Sequence, residues 1–309
     1  MKPFPRIVVI RLVASLCVLL AAGAGTGIVR AALPGGVVLP PVTEPPSGEH
    51  HVGKVIWADL ITPHLDIAKR FYGGLFGWTF RDIPRDPRYT VALLDGEPVA
   101  GLYQKPVPSG ERQQPRWLAF LAVKDVDAAI DSARQRGGTV VSPPRDYPQR
   151  GRQAVLADPD GATFAVLASG SGDPPDALAA PGDWIWSALM VKDPAQELAF
   201  YKNLFGYEVY DLAAEGDAQH YILASDTYAR AGLNALPADS QRRHPHWLNF
   251  LRVGDVDRTA ALAVSLGGRV LVEPRPDRHG GKLAVLADPT GAVFGVMEWP
   301  DSESKEEPQ

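Results

Sequence analysis

Leu156-Ala157-Asp158-Pro159-Asp160-Gly161-Ala162-Thr163-Phe164-Ala165-Val166 returns as Leu286-Ala287-Asp288-Pro289-Thr290-Gly291-Ala292-Val293-Phe294-Gly295-Val296. Each stretch reads as a strand, an Asp-Pro-x-Gly reversal and a second strand. Asp158 and Asp288 suit the first turn position, where a short carboxylate bonds the backbone ahead. Pro159 and Pro289 preset φ for the second, and Gly161 and Gly291 can take the left-handed conformation that re-enters a strand. Recurrence of such a hairpin at a fixed interval marks a duplicated domain.

Working outward, Phe71-Tyr72-Gly73-Gly74-Leu75-Phe76-Gly77-Trp78 is echoed by Phe200-Tyr201-Lys202-Asn203-Leu204-Phe205-Gly206-Tyr207, an offset of 129. Trp117-Leu118-Ala119-Phe120-Leu121 is echoed by Trp247-Leu248-Asn249-Phe250-Leu251, an offset of 130 that Asp125/Asp255 and Gly137-Gly138/Gly267-Gly268 keep. The two copies are expected over 51–169 and 183–299, near the usual size of one domain. Pro- and Gly-rich stretches read as linkers over 25–50 and 170–182, and the acidic tail 300–309 reads as disordered.

A net charge of −5 over 309 residues, with both signs interspersed, gives no basic stripe, and nucleic acid is excluded as an expected partner. No GxxxxGK[ST] and no helix-opening GxGxxG is present to cradle phosphate. Lys2, Arg6 and Arg11 precede an apolar run from Leu12 to Ala24, and Ala22-Gly23-Ala24 is a small-x-small exit, so residues 1–24 read as a cleaved signal peptide. The alternative is an uncleaved membrane anchor, against which a span of roughly 20 apolar residues is required and Arg11 interrupts any longer reading. Cys17, the only cysteine, lies in this run, and Leu16 before it is too large for a lipidation site. The mature protein is therefore expected without cysteine, periplasmic or extracellular, touching membrane only if the leader stays. The sequence leaves its oligomeric state open.

Periodicity gives the fold class. Val55–Ile61 reads as a strand; Leu65, Ala68, Tyr72 and Leu75 stand at helical spacing before Gly77; strands follow around 78–81, 89–94 and 98–103, the last two joined by the hairpin pair Asp95-Gly96. The second half repeats the plan: a strand from Trp117 to Val123, a helix capped by Asp125 and stopped by Gly137-Gly138, and strands at 139–141, 153–156 and 163–167. The result is α+β, with βαβββ as the unit and four units in all.

A strand feeding an F-Y-x-x-L-F-G helix, a D-V-D-x-A helix ending in Gly-Gly, and a closing L-A-D-P-x-G-x-x-F hairpin together resemble the vicinal oxygen chelate superfamily, which includes glyoxalase I, extradiol dioxygenases and bleomycin-resistance proteins. The resemblance covers nearly all of 52–169 and 183–298. It implies two tandem domains, each of paired βαβββ modules forming a cup-shaped mixed sheet around a ligand cavity. It also implies, for many members, a divalent metal held by His, Glu or Gln and acting as a Lewis acid. Carried onto this sequence, the first-strand ligand position falls on Trp57 and Trp186, and the second-module position near Ala119 and Asn249. The closing-hairpin position falls on Ala165 and Gly295, and the remaining one near Gly101 and Leu102 or Gly232 and Leu233. Asn249 alone offers a weak donor. No metal or other cofactor is therefore expected, a divalent metal being the alternative.

Candidate site residues are weighed against plainer roles. Asp59 shares the strand face of Trp57 and points into the cup, either as a general base or as the ion-pair partner of an arginine such as Arg116 or Arg152. Trp57, Trp117, Trp186 and Trp247 are expected on inward-facing positions, as core or as an aromatic wall for a flat ligand. Tyr103 and Asn234 could add polar groups to it, as could Asn249, and Arg145 and Arg275 could meet an anion from loops. His244 and His246 with His220 could bind a metal, although solvated loop histidines explain them as well. Three functions stay open: an exported, metal-independent binder of a small organic molecule, a metal-dependent glyoxalase- or dioxygenase-like enzyme with a non-standard site, and an interaction protein whose cups are filled by their own side chains.

Overall fold

The computed structural model describes residues 38–84, 86–105, 115–212, 219–236, 244–277 and 280–299. The leader with Cys17 and the acidic tail lie outside these residues, and among them no helix is long and apolar enough to cross a membrane.

The first copy runs β1 (Val55–Thr62), α1 (Leu65–Phe76), β2 (Thr79–Ile83), β3 (Asp86–Leu94), β4 (Glu97–Gln104), β5 (Arg116–Ala122), α2 (Val126–Gln135), β6 (Thr139–Tyr147), β7 (Gly151–Ala157) and β8 (Thr163–Ser169). Its eight strands form one mixed sheet in the order β2-β3-β4-β1-β5-β8-β7-β6. The second copy repeats it with β9 (Trp184–Val191), α3 (Pro194–Phe205), β10 (Glu208–Asp211), β11 (His220–Ser225), β12 (Tyr228–Ala235), β13 (His246–Arg252), α4 (Val256–Ser265), β14 (Arg269–Pro276), β15 (Lys282–Ala287) and β16 (Val293–Met297), ordered β10-β11-β12-β9-β13-β16-β15-β14. The α+β class and the paired βαβββ plan are as the sequence implies.

Local chemistry sets the boundaries. Gly77 at φ 74° and Gly206 at φ 73° close α1 and α3 in the left-handed conformation. Asp125 caps α2 by accepting from the amides of Asp127 and Ala128. Asp158 Oδ1 accepts from Ala162 N at 2.7 Å, and Asp288 Oδ1 accepts from the amides of Thr290, Gly291 and Ala292. Strand β6 outruns the expected 139–141 because it lies at the sheet edge, where Pro143 and Pro144 cost no ladder bond.

The helices lie between the two sheets. Helix α1 packs on α4, and α2 on α3, so each core is built from both copies. One joins Leu60, Phe71, Tyr72 and Trp117 to Leu251, Val256, Leu286 and Phe294; the other joins Leu121, Ile130, Leu156 and Phe164 to Leu189, Phe200, Tyr201 and Trp247. Each large apolar side chain fully buried there contributes about 1.5–3 kcal/mol. The opposite faces of the sheets are the cups, with their own apolar clusters.

Candidate functional site

Antiparallel partners share a sheet face, so register decides which residues line each cup. Trp57 pairs with Phe120 and Asp59 with Leu118, and all four belong to the first cup. Trp117 pairs with Leu60, one residue out of phase, and faces the helices. Trp247 pairs with Leu189 and does the same. The expectation that all four tryptophans face inward is therefore corrected: Trp57 and Trp186 line cups, while Trp117 and Trp247 do not. Asn249 is corrected likewise. It pairs with Ser187, accepts from Ser187 Oγ at 2.9 Å, and is buried on the helix side.

The first cup is centred on Asp59. Its Oδ1 accepts from Trp57 Nε1 at 2.8 Å and Tyr89 Oη at 2.7 Å. Gly101 beneath them has no room for a Cβ, which would strike the Tyr89 hydroxyl and Asp59 Oδ1. Arg150 reaches in from the turn between β6 and β7, only 1 % exposed, its guanidinium 3.9 Å from the centroid of the Trp57 ring. Burial pushes the Asp59 carboxyl above its ordinary value, against the opposing pull of Arg150 and of the two donors. The partner of Asp59 is thus neither Arg116 nor Arg152; Arg152 instead pairs with Asp127 and Asp146 on the outside. Arg145 and Arg275 lie on edge strands and are exposed. Tyr103, opposite Tyr89, carries the Arg88 guanidinium 5.8 Å above its ring.

Residues 38–49, within the stretch read as a linker, lie across this cup. Leu39 and Val42 join its apolar cluster at 6 % and 3 % exposed. The amides of Val42 and Thr43 donate to Ser171 Oγ at 3.0 and 3.2 Å, and Ser47 Oγ donates to the Asp173 carbonyl at 2.7 Å. Ser171 and Asp173 come from the second expected linker, which docks because its polar groups complete this strap.

The second cup differs residue by residue. Ala188 stands where the first copy has Asp59, and Gly280 where it has Arg150. Trp186 and Met190 are half-buried, whereas Trp57 is 3 % exposed. Asn234 and the Trp186 indole both lie over Gly232, so both face this cup, with Leu248 and Phe250 beside them. His220, Asn234, Met190 and His246 form one row across four adjacent strands. The two histidines are thus roughly 14 Å apart at three strand spacings and cannot share a metal.

Sequence reasoning missed Arg150 and the links between the copies. Tyr72 Oη accepts from Trp117 Nε1 at 2.9 Å and donates to Asp288 Oδ2 in the other copy; Tyr201 accepts from Trp247 and donates to Asp158 Oδ2. Beside Asp158, Glu197 is fully buried, and its carboxyl is pushed up to about 8 by burial and by the Asp158 carboxylate. The signal for the links was present, since Trp, Tyr and Asp recur at matched offsets in both copies.

The profile of the Glyoxalase/Bleomycin resistance protein/Dioxygenase superfamily matches residues 50–166, and that of a glyoxalase-like domain matches 186–297. The chain belongs to this superfamily. It is 32 % identical over 257 residues to the "Putative glyoxylase CFP32" of Mycobacterium bovis, covering 82 % of this chain and 98 % of that one. It is 35 % identical over 260 residues to the anthracycline biosynthesis protein DauV of Streptomyces sp. (strain C5), covering 80 % and 93 %. Among solved structures, the Mn(II)-bound glyoxalase from Novosphingobium aromaticivorans superposes with a TM-score of 0.57 at 20 % identity, covering 80 % of this chain and 82 % of that one. The 2,3-dioxygenase LapB from Pseudomonas sp. KL28 superposes with a TM-score of 0.58 at 14 % identity, covering 83 % and 96 %. These last two likenesses are of fold.

The divalent metal that the resemblance implies does not fit the donors present. The inward residues at the carried-over positions are Trp57, Gly101, Phe120 and Ala165 in one cup and Trp186, Gly232, Phe250 and Gly295 in the other. Indole, phenyl, methyl and hydrogen offer no lone pair to a hard or borderline cation. Register also moves the second-module position from Ala119 and Asn249 to their inward neighbours. Among the described residues no three His, Cys, Asp or Glu side chains are grouped to hold an ion.

Proposed function

We propose that this protein is exported and binds a small organic molecule without a metal, using the cup of the second copy. The observation that carries the reading is the contrast between the cups at equivalent positions. In the first, Trp57 is covered by Arg150 and the strap; in the second, Trp186, Met190 and Asn234 keep exposed surface. An indole wall with one amide, two flanking imidazoles and apolar neighbours suits a flat, mostly apolar ligand oriented by a few hydrogen bonds. One relative carries anthracycline biosynthesis in its name, which makes a fluorescent anthracycline such as doxorubicin a fitting first probe.

The test joins elemental analysis of the purified mature protein to doxorubicin titration. Less than about 0.1 metal per chain is expected, with saturable binding that Trp186→Ala weakens about tenfold or more, the worth of roughly 1.4 kcal/mol. Close to one tightly held Zn, Ni, Fe or Mn per chain would overturn the metal-free reading. Binding indifferent to Trp186→Ala would remove the second cup as its site.

A further inference from the structure

We infer that the cup of the first copy is a second binding site, for a small apolar molecule carrying an anionic group such as a carboxylate, and that residues 39–48 occupy part of it in this structure. The inference is independent of the second cup and stands on a different set of residues.

The starting point is Arg150. Its Nε, Nη1 and Nη2 are all buried, and none has a hydrogen-bond partner. Among the described residues it enters no ion pair either. Asp59 attracts it without bonding it, since its Oδ1 is taken by Trp57 and Tyr89. A guanidinium withdrawn from water without hydrogen-bond acceptors is costly, and the attraction of Asp59 offsets only part of that cost. The second copy has the same fold with Gly280 at this place, so the architecture does not need the charge. What complements a planar fork of five donors lying on an indole is a bidentate anion.

The rest of the cup says what the anion is attached to. Leu39 and Val42 sit among Trp57, Val91, Leu118 and Phe120, supplying from the chain itself the apolar contacts an organic ligand would make. They satisfy the apolar lining and leave the charged fork unmet. A molecule with an apolar body and a carboxylate would satisfy both, displacing the strap. The hydrogen bonds that anchor the strap run to Ser171 and Asp173, which take Val42, Thr43, Ser47, Gly48 and Glu49. None runs to a strand of the cup among the described residues, so its release breaks no sheet ladder. Asp59 Oδ2, which accepts from no described residue, is left to contact a hydroxyl or amide of the same molecule.

The test uses the whole mature chain with 2-naphthoate and its neutral amide, 2-naphthamide, as probes, read by tryptophan fluorescence and calorimetry. Naphthoate is expected to bind at least about tenfold more tightly than the amide. The double change Leu39→Ser with Val42→Ser should tighten it several-fold by lifting the competition of the strap. Arg150→Met, which keeps the length and the contact with Trp57, should abolish the preference for naphthoate while leaving the affinity for naphthamide within about twofold. A structural arginine would instead weaken both probes alike when replaced. Arg150→Lys keeps the charge without the fork and should fall between. Equal affinity for the two probes, absence of saturation to about 10 mM in the strap variant, or a preference that survives Arg150→Met would each overturn the inference. Trp186→Ala should leave naphthoate binding intact, so failure here is distinguishable from failure at the second cup.

Discussion

The hydroxyl of Tyr72 donates to Oδ2 of Asp288, 3.2 Å away and 216 residues further along the chain. The same carboxylate uses Oδ1 to hold its own turn through the amides of Thr290, Gly291 and Ala292. One residue thus closes a hairpin in its own copy and receives a helix from the other.

Tyr72→Phe is therefore expected to cost about 1–3 kcal/mol, because it leaves Trp117 Nε1 and Asp288 Oδ2 buried without the partner they share. Tyr201→Phe should cost a similar amount through Trp247 and Asp158. Urea denaturation followed by tryptophan fluorescence measures both. Losses below about 0.3 kcal/mol would show that the crossed bonds contribute nothing net.

Glu197 sets a pH dependence. Its carboxyl is held up to about 8 in the folded protein, against 4.5 for the free group, by burial and by Asp158. A raised folded value means that the folded state keeps the proton longer, so the stability present below pH 4.5 is lost as pH rises towards 8. Glu197→Gln keeps the shape without the titration and should flatten that decline by a few kcal/mol at most. Chemical denaturation at pH 5 and pH 8 decides the matter, and equal slopes in both proteins would refute the assignment. The first copy has Ala68 at this place, so the effect belongs to the α2–α3 junction alone.

Ser171→Ala should loosen the strap without unfolding either sheet. It removes the acceptor of the Val42 and Thr43 amides. Hydrogen exchange across 42–48 is expected to rise at least several-fold, and quenching of Trp57 by acrylamide to increase. Unchanged exchange would mean that the backbone bonds to Ser171 and Asp173 and the burial of Leu39 and Val42 hold the strap without the Ser171 hydroxyl.

Installing the superfamily's carboxylate does not rebuild a metal site. A side chain at Gly295 runs into the Phe250 ring, which lies over its α-carbon. Gly295→Glu is expected to destabilise by about 1–3 kcal/mol through overpacking and to bind no stoichiometric zinc. Gly295→Glu combined with Phe250→Ala relieves the clash and should recover much of that loss, as a melting curve would show.

The architecture was legible because its signals are local and doubled. Gly77 and Gly206, Asp125 and Asp255, and the two Asp-Pro-x-Gly turns each fix a boundary by chemistry within four residues. The cups were less legible, for two physical reasons. Whether Trp57 or Trp117 points inward depends on register between strands, where a slip of one residue reverses every side chain. Arg150 enters from a turn whose neighbours say nothing of its direction, and Leu39 and Val42 lie in a Pro-rich stretch that reads as solvent-bound. The one trace was asymmetry, since Arg150 and Asp59 are places where the second copy holds Gly280 and Ala188.

The crossed tyrosine–aspartate bonds also explain which parts of the two halves still look alike. Each half buries its helices against the other, so a change at Tyr72, Trp117 or Asp288 disturbs both at once and the halves stay locked to one vocabulary there. The outward faces owe nothing to the opposite half. They are the surfaces on which a gene duplication is free to part ways, one half keeping a charged, covered hollow and the other an uncharged one.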